Sequence, residues 1–123
     1  MADDVATVLD IVLACRRIAQ FLTETDEAHF LAAEEKHWAV VSQLSIIGEA
    51  VRRLSDEFRD TRPSIPWREI AGMRDRLIHA YDKINWSIVW RTAAGDIPVL
   101  LRNLETFLPR RDDGPENQEE SVH

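Results

Sequence analysis

The sequence is poor in residues that break helices or cross-link loops, since its 123 residues include one cysteine, four glycines and five prolines. The single Cys15 excludes an internal disulfide, and we expect it to be a small buried residue. So few glycines and prolines argue against a chain of many tight turns. No apolar run approaches the roughly 18 to 20 residues of a membrane span. With no secretory signal in front, the sequence predicts a cytoplasmic protein of one domain.

The chain also lacks an excess of positive charge, because its formal net charge is -7. This balance argues against non-specific nucleic-acid binding by the whole surface. The charge is unevenly distributed, however. Residues 52–91 carry nine basic and six acidic side chains and form a net-basic segment between two acidic ones. Such a segment is compatible with one local anionic ligand.

Apolar residues recur at helical spacing through most of the chain, and no alternating strand pattern is found. The periodicity predicts long helices over residues 3–22, 35–59, 67–81 and 86–108. The stretch HFLAAEE between the first two is expected to hold a short turn of helix.

Prolines mark the interruptions between these helices. Pro63 and Pro66 block a helix in the loop TRPSIPW, and Pro98 predicts a kink or a restart near Asp96. The pattern therefore predicts an all-α fold, an antiparallel bundle of four to five helices over residues 1–109. The polar, acidic residues 110–123 are expected to form a disordered tail.

The stretch GMRDRLIHAYDKINW concentrates reactive side chains on one predicted helix, where Arg74, Arg76, His79 and Tyr81 fall within eight residues. On an ideal helix Arg74 and Tyr81 share a face, about 20° apart, whereas His79 lies about 140° from Arg74. Three arrangements could bring Arg74 and His79 together: a distorted helix end, the reach of the long arginine side chain, or a second copy of the chain that supplies the opposite half of a site.

An arginine and a histidine together suit the cleavage of RNA. The histidine can take a proton from a ribose 2′-hydroxyl or give one to the leaving oxygen, and the guanidinium can bind the phosphate. Asp75 stands four residues before His79 and could orient the imidazole or raise its pKa. This chemistry needs no metal and no cofactor. No zinc site is expected, because the four histidines and the one cysteine are not at ligand spacing.

Simpler interpretations of the same residues stay open. Arg74 and His79 could belong to a solvated helix face, and Arg76 and Lys83 are expected to be solvated. The tryptophans are expected in the core or at an interface, and His29 and His37 at the surface. Glu49 is expected to be solvated or paired, or to face the motif helix.

The stretch LSIIGEAVRRLSDEFRDTRPSIPWREIAGMRDRLIHAYDKINWSIVW resembles the HEPN superfamily, in its HepT-like branch. The resemblance covers about residues 5–108. It is carried by IIGEA, by IPWREIAGMR and by the R-x-x-x-x-H-x-Y arrangement of Arg74, His79 and Tyr81. The family usually has Asn directly after the motif arginine, where this chain has Asp75. This difference keeps a hydrogen-bond acceptor and adds a negative charge.

The resemblance implies a HEPN-like homodimer whose two motifs line a cleft at the two-fold axis. It implies the toxin of a toxin–antitoxin pair, a metal-independent endoribonuclease that leaves 2′,3′-cyclic phosphate ends. Arg74 would stabilise the phosphate, His79 would be the acid–base residue, and Tyr81 would accept AMP from a minimal nucleotidyltransferase antitoxin.

Two alternatives remain beside this interpretation. In the first, a non-catalytic helical dimer binds the nucleotidyltransferase, or binds a nucleotide through Arg74 and Arg76. In the second, the chain is a structural helical dimer with a solvated Arg/His face.

Overall fold

The computed structural model describes residues 2–79 and 83–108, and within them all regular structure is helical. The side chains of Arg74, Leu77, Ile78 and His79 lie outside that description. The helices are α1 (Ala2–Phe21), α2 (Glu27–Ala32), α3 (Glu34–Arg53), α4 (Asp56–Asp60), α5 (Trp67–His79), α6 (Trp86–Arg91) and α7 (Ile97–Glu105). A π-helical turn, Thr92–Asp96, joins α6 to α7. The all-α prediction is confirmed.

Helix α3 is the centre of the bundle, because it packs against α1 on one side and against α5 on another. Helix α1 also packs against α7, and α2 against α6. The core between them is formed by fully buried aliphatic and aromatic side chains, among them Ile11, Ile18, Phe30, Leu44, Ile47, Phe58 and Leu104. None of the helices in the described parts of the chain is long and apolar enough to cross a membrane.

The second long helix ends earlier than its periodicity predicts. Helix α3 stops at Arg53, and Leu54 and Ser55 are extended before α4 begins. The Ser55 hydroxyl accepts a hydrogen bond from the Phe58 N–H at 3.0 Å and so caps α4. Leu54 and Phe58 are both buried on either side of the break. The apolar spacing therefore continues across an extended break, and the predicted helix to Arg59 is wrong.

A buried carboxylate holds this break in place. The Asp4 Oδ1 accepts a hydrogen bond from the Ser55 N–H at 2.9 Å, and Asp4 Oδ2 accepts one from the Ser55 hydroxyl at 2.6 Å. Arg53 reaches Asp10 on the same side, with Nη2 and Oδ2 3.4 Å apart. The start of α1 is thus joined to the end of α3, and the two helices run antiparallel.

The last helix is interrupted where proline predicts it. Pro98 stands in the first turn of α7, directly after the π-helical turn. Proline has no N–H to close an α-helical hydrogen bond on the preceding turn. The chain accommodates this by widening the turn before it, so the kink expected near Asp96 is confirmed.

His37 is buried, so the prediction that it lies at the surface is wrong. Its Nε2 lies 2.9 Å from the Phe30 carbonyl oxygen, and its ring stacks on Trp86 at 4.2 Å between centroids. Because a carbonyl only accepts, Nε2 carries the proton. Residues of α2 and α6 cover this histidine, and neither contact is visible in the periodicity of α3.

Several smaller expectations are confirmed. Cys15 is fully buried, and its burial raises the pKa of the thiol to about 12. His29 is exposed on α2, where Asp26 pairs with it at 2.6 Å. Trp67 is buried as expected. Trp38 is 46% exposed and packs edge-on against Trp86, so its expected place at an interface stays a prediction. The predicted tail at 110–123 lies outside the described residues.

Replacing Ser55 with alanine removes the α4 cap and both side-chain contacts of its hydroxyl. We expect Ser55→Ala to lower the free energy of unfolding by about 1–2 kcal/mol in urea titrations. Ser42→Ala, at an exposed position within α3, is the matched control and should change stability by less than about 0.5 kcal/mol. An equal, small effect of both variants would contradict the structural role given to Ser55.

The same contact makes stability depend on pH. The Ser55 hydroxyl, followed by its N–H, holds the pKa of Asp4 below the ordinary value of 3.8. The folded state therefore favours the charged carboxylate. This stabilisation is fully present above pH 3.8 and is lost as the pH falls through the lowered pKa. Ser55→Ala should flatten that part of the stability–pH curve.

Candidate functional site

Helix α5, which carries the Arg/His motif, is anchored at its first residue. The Trp67 indole N–H is shared between the carbonyl oxygens of Arg59 at 3.1 Å and Arg62 at 3.2 Å. The Trp67 ring also packs on Phe58, with centroids 6.1 Å apart. An indole in this position satisfies its one donor while filling core space. The start of α5 is thereby fixed to α4 and the loop that follows it.

A second anchor joins α5 to the end of α3. The Arg52 Nη2 donates to Asp75 Oδ2 at 2.7 Å and to the Ala71 carbonyl oxygen at 3.3 Å. Both side chains of the ion pair are about half exposed, at 45% for Arg52 and 49% for Asp75. The guanidinium therefore lies along one turn of α5, directly beside the motif.

Helix α5 runs antiparallel to α3. The Arg59 guanidinium donates to the Val51 carbonyl at the end of α3, while its own carbonyl accepts from Trp67 at the start of α5. The two helices pack together from that end. The later turns of α5 therefore lie opposite earlier turns of α3.

The motif residues occupy different faces of a regular helix. The backbone is α-helical from Trp67 through His79. The positions of Arg74 and His79 are therefore about 140° apart around the axis and about 7.5 Å apart along it. A distortion within this helix does not bring them together. Tyr81 lies outside the described residues, as do the side chains of Arg74 and His79.

Helix α5 has one side packed on the bundle and another exposed to solvent. Trp67 and Met73 are buried, whereas Arg68, Glu69 and Arg76 are exposed.

A groove of about 530 Å³ separates α5 from the π-helical turn and α7. Its floor includes Ile70, Met73 and Leu100, and its polar lining includes Glu69, Arg76 and Asp96. One cation beside two carboxylates does not make an anion site, so the groove itself offers little to a phosphate. Among the described residues, no group of three histidine, cysteine or carboxylate side chains is arranged to hold a metal ion.

Sequence reasoning missed Arg52. The sequence suggested that Asp75 orients His79, whose side chain lies outside the described residues. The structure shows that the Asp75 carboxylate pairs with the guanidinium of Arg52 on another helix. Arg52 and Arg53 together end α3 and serve different helices, since Arg53 pairs with Asp10 of α1. The available signal was two adjacent arginines, Arg52 and Arg53, at what the structure shows to be a helix end. Their sequence alone does not indicate which carboxylate each would bind.

The family model of HepT-like ribonucleases ("Ribonuclease HepT-like") matches residues 11–107. This chain belongs to that family.

Curated relatives agree with this assignment. A protein of Thermococcus cleftensis named "Probable ribonuclease HepT" is 41% identical over 96 residues, which span 78% of this chain and 87% of the relative. A Methanocaldococcus jannaschii protein named "Putative RNase MJ0125" is 35% identical over 103 residues, which span 84% and 89% of the two chains. No solved structure matches the chain.

The shared hydrogen bonds of the Trp67 indole provide a test of how α5 is held. Trp67→Phe keeps most of the ring volume and removes the donor, so we expect unfolding in urea to become easier by about 1–2 kcal/mol. Trp38→Phe, at a half-exposed position, should change stability by less than about 0.5 kcal/mol. A Trp67→Phe variant as stable as the Trp38→Phe control would show that packing alone fixes the start of α5.

Proposed function

We propose that this protein is a metal-independent endoribonuclease with Arg74 and His79 as its catalytic residues. The observation that carries the proposal is the position of both residues on one anchored helix, α5, in a chain of the HepT-like ribonuclease family. The ribonuclease names of its relatives support RNA as the substrate.

The proposed reaction is an internal transesterification of RNA. His79 takes the proton of a ribose 2′-hydroxyl, and the 2′-oxygen attacks the neighbouring phosphorus. The bond from phosphorus to the 5′-oxygen breaks, and that oxygen takes the proton that His79 has gained. Arg74 binds the phosphate and stabilises the charge of the transition state. The products are a 2′,3′-cyclic phosphate and a 5′-hydroxyl.

We propose that two copies of the chain form the site. Helix α5 is regular to His79, so the two motif positions face about 140° apart within one copy. A two-fold axis beside α5 would set each motif opposite its counterpart, and residues of both copies would line one cleft. The reach of the arginine side chain would close the remaining distance.

The resemblance further supports a role as the toxin of a toxin–antitoxin pair in the cytoplasm. In this proposal the partner is a minimal nucleotidyltransferase that transfers AMP from ATP to Tyr81, with release of pyrophosphate. An adenylyl group adds bulk and negative charge beside the catalytic residues. Both effects would oppose the binding of RNA.

One observation favours a second candidate, a non-catalytic dimer that binds the nucleotidyltransferase or a nucleotide. Asp75 brings a carboxylate next to Arg74, where it would repel an RNA phosphate. In this candidate Arg74 and Arg76 bind the nucleotide, and Arg76 is exposed on the same helix. An RNA cleavage assay distinguishes the two candidates, because only the ribonuclease would degrade RNA.

We expect the purified protein to cleave RNA in the presence of EDTA and His79→Ala to lose that activity by at least about a hundredfold. His29→Ala is the matched control, because His29 is exposed on α2 and pairs only locally with Asp26. The product ends should carry 2′,3′-cyclic phosphates. Cleavage by His79→Ala at the wild-type rate would contradict the catalytic role of His79, and a folded wild type without activity would favour the binding candidate.

Incubation with ATP and the cognate nucleotidyltransferase should add AMP to Tyr81 and abolish cleavage. Intact-mass measurements would show the added adenylyl mass on the wild type, and Tyr81→Phe should remain unmodified. Because the sequence contains only this one tyrosine, the outcome has a clear interpretation. Unchanged modification of Tyr81→Phe would move the acceptor to another residue type.

A further inference from the structure

Arg52 stands at the junction between α3 and the motif helix and makes contacts there that packing alone would not require. Its Nη2 donates both to Asp75 Oδ2 at 2.7 Å and to the Ala71 carbonyl at 3.3 Å. Ala71 and Asp75 are four residues apart, so one guanidinium spans a full turn of α5. That turn includes Arg74, the first residue of the motif.

Charged side chains from both α3 and α5 surround the Arg52–Asp75 pair. Asp75 stands beside Arg74 and Arg76 in the chain, and α3 presents Arg52 and, one turn earlier, the exposed Glu49. Because α3 and α5 are antiparallel, Glu49 lies further toward the His79 end of α5. Arg53 does not belong to this group, because it turns to Asp10 on α1.

We propose that Arg52 is a positioning residue of the ribonuclease site, which draws the Asp75 carboxylate toward α3 and offsets its negative charge beside Arg74. The inference rests on the proposed function, in which Arg74 binds the RNA phosphate. Arg52 itself acts on the reaction through Asp75.

The physical reason is the sign of the charge at position 75. A carboxylate next to the phosphate-binding arginine competes for its guanidinium and repels the RNA phosphate. The same carboxylate stands four residues before His79, where a negative charge would favour a protonated imidazole. A guanidinium at 2.7 Å reduces both effects, because at distances beyond a few ångströms the ion pair acts as a dipole. Arg52 thus compensates for a carboxylate that would otherwise weaken the site.

Four variants separate this role from a structural one: Arg52→Gln, Asp75→Asn, their combination, and Arg53→Gln as the matched control. Arg53→Gln removes the same charge from the neighbouring residue but breaks a contact with α1. The first readout is the pKa of the His79 imidazole, measured by NMR titration and assigned with His79→Ala. The second is kcat/KM for RNA cleavage.

We expect Arg52→Gln to raise the pKa of His79 by about half a unit, because the Asp75 charge is no longer offset. The combined Arg52→Gln/Asp75→Asn variant should return it to the wild-type value or below. Cleavage by Arg52→Gln should fall by about five- to tenfold and recover in the combined variant. Arg53→Gln should leave both quantities unchanged.

The outcomes separate the role of Arg52 from the proposed ribonuclease function. If wild type cleaves RNA but Arg52→Gln leaves the His79 pKa and the rate unchanged, or the combined variant fails to recover, the role of Arg52 is wrong while the proposed function stands. If wild type does not cleave RNA, the proposed function fails, and the NMR titration still decides whether Arg52 offsets Asp75. A loss that Asp75→Asn does not repair would assign Arg52 to stability alone.

Discussion

The attachment of α5 to α3 and α4 is the constraint on which the candidate site depends. The Trp67 indole fixes the first turn of α5 to two carbonyl oxygens, and Arg52 ties the following turn to α3. On its other side α5 borders a groove. Any change that loosens these anchors would therefore shift the motif positions Arg74 and His79 together, as parts of one rigid helix.

An ion pair accompanies the apolar packing where α5 meets the end of α3. The core contacts of α5 come from the buried Trp67 and Met73 and from the partly buried Ile70 and Ala71. The turn that starts at Ala71 is also held by a half-exposed ion pair. Half-exposed ion pairs contribute little to stability. The Arg52–Asp75 contact therefore fixes the position of this turn against α3 and sets its local charge, while it adds little to the stability of the fold.

Periodicity predicted most of the fold, and its failures have physical causes. Helices α1 and α5 and the disturbance before Pro98 follow directly from local spacing and from the missing proline N–H. The end of α3 did not, because Leu54 and Phe58 keep an apolar spacing across an extended break that is held by Asp4, 51 residues from Ser55. The candidate site shows the same limit. Arg74 and His79 could be proposed from their spacing and from a family resemblance, but Arg52 is 23 residues from Asp75, and no local pattern connects them.

We propose that the site requires two copies of the chain, because one regular α5 carries the positions of Arg74 and His79 on different faces. The most direct test measures RNA cleavage per chain across a dilution series, beside the dimer fraction from analytical ultracentrifugation of the 14.2 kDa chain. If the site needs two copies, cleavage per chain should fall in parallel with the dimer fraction. Full cleavage per chain by the monomer would contradict it.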